Sequence, residues 1–226
     1  MNRTRAFRLL VAAWAALCAL LLAVACAPAT AADVAFKLTD QAKTSVADAA
    51  IWLVPVDPAA IPFPRTSAKR ADIEQIARQF EPFVTAVRTG TSVRFPNNDR
   101  VQHHVYSLSP TRKFELPLHQ PGKADSIVFD RPGVVAVGCN IHDWMSAYVV
   151  VVDSPWFAVT SADGGAKIVG IPPGRYRAEI WHPRLAANDR REVTISDAVA
   201  PLAIELSLKP GFRTRRPPPA AGGGYK

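Results

Sequence analysis

The chain has 226 residues, a formal net charge of +8 and three cysteines. Arg3, Arg5 and Arg8 in residues 1–31, and Lys209, Arg213, Arg215, Arg216 and Lys226 in residues 209–226, face no acid in either segment; removing these eight of the 27 basic residues leaves 19 against 19 acidic ones. A neutral body excludes a basic nucleic-acid-binding face, and with Cys18 and Cys26 in the first segment the lone Cys139 excludes a disulfide framework.

In chain order, Arg-rich residues 2–8 lead into the apolar run 9–24 and then into Ala29-Thr30-Ala31, the spacing of a signal-peptidase site. Residues 1–31 are therefore expected to be a cleaved signal peptide and the mature chain to be exported, in the periplasm or its equivalent. The apolar run falls short of the ~20 residues of a membrane span, and Ala23-Val24-Ala25-Cys26 lacks the Leu of a lipoprotein site three positions before the cysteine. The remainder reads as short runs rich in Val, Ile, Phe and Tyr between Pro, Gly, Asn and Asp. Strands are expected at 34–38, 50–56, 83–88, 92–95, 103–107, 126–129, 134–137 and 147–152, and then at 157–160, 166–169, 176–181, 192–195 and 202–206. Residues 67–80 fit helix or strand, because Ile73, Ile76 and Phe80 have helix-like spacing. Turn signals about every ten residues favour a β-sandwich or barrel over an α/β plan. Around Asp153-Ser154-Pro155 the pattern changes to hairpins with tight turns, so 32–153 and 154–208 are expected to be separate β-modules. Residues 209–226, with Pro217-Pro218-Pro219 and Gly222-Gly223-Gly224, read as a tail that does not pack.

The chemistry concentrates in Gly138-Cys139-Asn140-Ile141-His142-Asp143-Trp144-Met145, a loop between two apolar strands. A thiolate, an imidazole and a thioether at three-residue spacing suit copper, with sulfur and nitrogen in a trigonal plane and Met as a long axial ligand. Outside the first segment Cys139 and Met145 are the chain's sole cysteine and methionine, and both fall in this loop. Such a centre needs a second imidazole, and His103 or His104 supplies it. Neighbours on a strand point to opposite faces, so one of the two reaches a metal and periodicity does not choose between them. His119 is expected in a solvated loop, with a second-imidazole role as the lesser alternative, and His182 is expected to be structural. Asp143 either orients His142 or faces water, and Trp144 either shields a metal or meets a partner.

These motifs resemble the cupredoxins, and within them the plastocyanin- and amicyanin-like proteins often labelled methylamine utilization proteins. Asn97-Asn98 followed by His103 looks like the segment in which an asparagine precedes the first histidine ligand, which selects His103. The Cys139, His142, Met145 spacing is similar to the amicyanin ligand loop, with Asn140-Ile141 where many cupredoxins have a proline. The likeness covers about residues 70–153 and implies a Greek-key β-sandwich with one mononuclear type 1 copper held by His103, Cys139, His142 and Met145. Residues 155–208 more loosely resemble transthyretin-like, carboxypeptidase regulatory-type β-modules. The expected function is single-electron transfer to a redox partner docked around an exposed His142, without substrate chemistry. The alternatives are Cu(I) storage or delivery, and a metal-free binding module. No Ser/His/Asp order, phosphate-binding Gly-rich loop or paired-carboxylate motif points to an enzyme.

Overall fold

A computed structural model describes residues 31–63, 70–196 and 200–211. All of the expected signal peptide but Ala31, and most of the expected tail, lie outside the described residues, as does the start of the ambiguous 67–80 segment. The described chain is all-β: β1 (Ala32–Asp40), β2 (Ala50–Pro55), β3 (Arg70–Asp72), β4 (Glu74–Ile76), β5 (Gln79–Glu81), β6 (Val84–Arg88), β7 (Thr91–Pro96), β8 (Tyr106–Ser107) and β9 (Phe114–Glu115). There follow β10 (Ala124–Phe129), β11 (Gly133–Gly138), β12 (Ser146–Val152), β13 (Phe157–Val159), β14 (Gly165–Ile171), β15 (Gly174–Trp181), β16 (Asp189–Ile195) and β17 (Leu202–Leu206). No helix among the described residues is long and apolar enough to cross a membrane.

Two pairs of sheets each enclose a core. The first pair is β14-β1-β17 and β13-β2-β15-β16, around Val34, Phe36, Leu38, Ile51, Leu53, Tyr176, Ala178 and Ile180. The second is β10-β7-β3 and β6-β12-β11-β8-β9, around Val93, Phe95, Phe129, Val135, Val137, Cys139, Met145, Ala147, Val149 and Val151. Side chains alternate across a strand, and β12 uses both faces. Ala147, Val149 and Val151 enter the second core, while Val150 and Val152 meet Ala50, Phe83 and Val84, flanked by Trp52 and Trp181, in a third cluster. This accounts for the uninterrupted apolar run in β12, the pattern of a strand covered on both sides.

Sheet membership departs from the expected boundary at residue 153. β1 pairs antiparallel with β14 and parallel with β17, and β2 lies between β13 and β15. Residues 32–55 thus complete the sandwich built by the C-terminal strands, because an alternating strand carries no mark of which distant partner it will meet. In the ambiguous segment, residues 70–81 form β3, β4 and β5 and no helix: Ile73 and Phe80 are core residues, while Ile76 is 41% exposed. The expected strand at 103–107 is reduced to β8, with His103 held by an isolated bridge to His119.

Candidate metal centre

β11 and β12 are antiparallel neighbours, paired from Gly133↔Val151 to Gly138↔Ser146, and the loop between them presents Cys139 and His142. The loop is pinned from within, since the Met145 amide donates to the His142 carbonyl at 2.9 Å. His103 arrives from the β7–β8 connection, fixed by reciprocal backbone bonds with His119 of 3.2 and 2.7 Å. Asn97 organises the start of that connection: fully buried, it donates through Nδ2 to the carbonyls of Val101 and His119, each at 2.9 Å, and its Oδ1 accepts from the Asp99 amide at 3.0 Å.

One nitrogen each of His103 and His142 and the sulfur of Cys139 lie within 4.8 Å of one another, and all three residues are buried. The two Nδ1 atoms are 3.1 Å apart, and His142 Nδ1 is 3.8 Å from Cys139 Sγ. Burial opposes ionisation of the thiol, but a hydrogen bond to His103 and backbone bonds to His104, Ile141 and His142 outweigh it and hold its pKa below the ordinary thiol value. Burial likewise opposes charge on His103, outweighed by its bonds to Cys139 and Asp99, so its pKa is raised. Burial, then the positive His103 and Arg78 nearby, pushes that of His142 down. A buried thiolate-prone sulfur flanked by two imidazole nitrogens is a donor set for a soft transition metal and matches the chemistry of copper. Met145 is 1% exposed and packs in the same cluster as Cys139.

The other candidates separate clearly. His104 turns away, with Nε2 on Glu115 at 3.0 Å and its ring stacked on Tyr106 at 5.8 Å. His119 is fully buried and not solvated as expected. Its Nε2–H donates to Asp125 at 3.0 Å and its Nδ1 accepts from Gln75 at 3.1 Å, so both nitrogens are occupied. His182 is buried in the other sandwich, accepting through Nδ1 from the Arg184 amide at 3.2 Å. Asp143 is exposed, and the carboxylate that reaches a site histidine is Asp99, 2.8 Å from His103 Nε2. Trp144 is half-buried, its ring 5.3 Å from that of His142. His142 itself is only 9% exposed, less open than expected, and the exposed loop residue is Ile141 at 49%. Sequence reasoning did not single out Asp99 or Gln75; an acid four residues before His103 is the one local signal, and such pairs are common on any surface.

No protein-family model matches the chain, and no curated protein matches it. Among solved structures it is similar to a purple cupredoxin from Nitrosopumilus maritimus, at 26% identity over 36% of this chain and 99% of that one, with a TM-score of 0.33. It is similar to a copper-containing nitrite reductase from Thermus scotoductus at 25% identity, over 44% of this chain and 27% of the reductase, TM-score 0.35. A further similarity is to the oxidized state of an amicyanin point mutant, at 21% identity over 46% of this chain and 99% of that one, TM-score 0.35. The chain thus spans about a quarter of the reductase's length, and each of these likenesses involves less than half of this chain.

Proposed function

We propose that this protein is an exported copper-binding electron carrier. The observation that supports the reading most directly is the buried cluster of His103, Cys139 and His142, with ligating atoms within 4.8 Å of one another. His103, Cys139 and His142 would hold the metal, with Met145 as the weak fourth ligand. Copper bound there supplies one-electron exchange between Cu(II) and Cu(I). The chain's own contribution is rigidity and dryness. Two paired core strands hold Cys139 and His142, the bridge to His119 holds His103, and burial keeps water from the donor atoms. A site filled by side chains leaves no position for a substrate, which favours electron transfer over substrate chemistry. The redox partner is a protein that docks over Ile141 and Trp144, beside His142.

The test is the metal content and visible spectrum of the purified protein after addition of Cu(II). One copper per chain with an intense thiolate-to-Cu(II) charge-transfer band supports the carrier. A stable but colourless Cu(I) complex replaces it with storage or delivery, and no bound copper replaces it with a metal-free binding module.

A further inference from the structure

The β4–β5 hairpin closes through two residues, Ala77 and Arg78, after the pair Ile76↔Gln79. Both have positive φ, 51° and 55°, the backbone of a type I′ turn that normally selects Asn-Gly. An unfavourable backbone without its preferred residues persists where surrounding contacts over-determine it, often at a functional site, and here the contacts lead to the metal centre. The successive amides of Ala77 and Arg78 donate to the two carboxylate oxygens of Asp99, at 2.9 Å to Oδ1 and 2.8 Å to Oδ2. That Oδ2 also accepts from His103 Nε2 at 2.8 Å. On its other side the same turn offers the Arg78 carbonyl to the Trp144 indole N–H at 3.1 Å, and Trp144 packs on His142. One two-residue turn therefore grips both histidine-bearing segments.

Resting on the copper reading above, we propose that Asp99, anchored by the Ala77-Arg78 turn, is a positioning residue for the metal centre. A carboxylate only accepts, so Asp99 holds a proton on His103 Nε2, and Nδ1, which faces Cys139 and His142, is the ring nitrogen left for a metal. The anchoring amides keep the carboxylate from rotating away, and Asp99 is placed from the chain side by the Asn97 bond to its own amide. A carboxylate behind a ligating histidine fixes both ring orientation and tautomer.

The test compares the full mature chain with its D99A variant by two measurements. The first is Cu(I) affinity, by competition with a chromogenic chelator. The second is the pair of His103 ring 15N shifts in the metal-free protein at pH 8. D99A is expected to weaken Cu(I) binding by about 10- to 100-fold and to move the His103 Nε2 15N shift, because that nitrogen loses its carboxylate acceptor. Unchanged ring shifts overturn the proposal, as do altered shifts with unchanged Cu(I) affinity. If D99A does not fold, D99N serves in its place. It keeps the size and one acceptor but loses the charge, and equal Cu(I) affinity in D99N and the parent then overturns the proposal. A parent protein that binds no Cu(I) overturns the copper reading instead, and the metal-free ring shifts still decide whether Asp99 holds His103 Nε2.

Discussion

At the scale of single residues, the candidate site separates side chains with similar chemistry by what surrounds them. His103 and His119 are both fully buried and bridged to each other. His119, however, is enclosed by Gln75 and Asp125, whereas His103 has one nitrogen on Asp99 and the other toward Cys139 and His142. Burial, its largest influence, lowers the pKa of His119, consistent with a neutral ring that bonds on both sides. Replacing His119 by Leu is expected to cost about 1–3 kcal/mol, read from urea unfolding, because the buried Gln75 amide loses an acceptor and Asp125 loses a donor. Met145→Leu is a different case. The swap conserves volume at a buried position, so stability is expected to change by less than about 1.5 kcal/mol, while under the copper reading proposed above loss of the thioether is expected to move the copper reduction potential. Spectroelectrochemistry of the loaded variant checks this, and an unmoved potential shows that Met145 is not a ligand. The Cys-His-Met spacing was legible because the three residues share one loop; Asp99 was not, because its contacts come from His103 and from the amides of another hairpin.

At the scale of elements, turns carry much of the specificity. The hairpin β4–β5 places Ala77 and Arg78 in the left-handed region, which costs an L-residue roughly 1–2 kcal/mol. Ala77→Gly is therefore expected to raise unfolding stability by about 1 kcal/mol, since glycine adopts this backbone without a Cβ clash; a lower urea midpoint would contradict the assignment of the turn. The β13–β14 connection shows the opposite substitution. Gly164 has φ +79°, and a Cβ there would lie 2.4 Å from the Leu38 carbonyl oxygen, the same region where the Leu38 amide bonds to the Gly164 carbonyl at 2.8 Å. Gly164→Ala is expected to destabilise by about 2 kcal/mol or more in thermal or urea unfolding. Most strands were visible as short β-branched and aromatic runs. The ambiguity at 70–81 arose because Ile73, Ile76 and Phe80 fit a helical face, yet a turn between β4 and β5 sends Ile76 outward and Phe80 inward.

At the scale of the whole molecule, β1 and β2 decide what can fold alone. Each is an inner strand of a sheet whose other members come from residues 157–206. A fragment of residues 154–208 is therefore expected to be unfolded by circular dichroism, because it lacks Phe36, Leu38, Ile51 and Leu53 of its core. Acid stability also has a long-range source. Burial, aided by Arg184, pushes the pKa of His182 from 6.5 down to about 4. An imidazole with a lowered folded-state pKa is protonated first in the unfolded chain, so its contribution is complete above pH 6.5 and is lost as pH falls toward 4. The full loss is about 3 kcal/mol at most. Urea midpoints measured at pH 7 and pH 5 are expected to converge in part in His182→Gln.

The all-β class, most strand positions and the loop that carries Cys139, His142 and Met145 could be read from the chain alone, because alternation, turn residues and residue spacing are local properties. That β1 and β2 join the C-terminal strands and that Asp99 stands behind His103 came from the folded arrangement, while His103, which alternation left level with His104 and the family resemblance favoured, is the one the fold brings to Cys139. Each of these depends on which distant backbone groups and side chains meet, and alternating β-strands are compatible with many partners until the cores close around one arrangement.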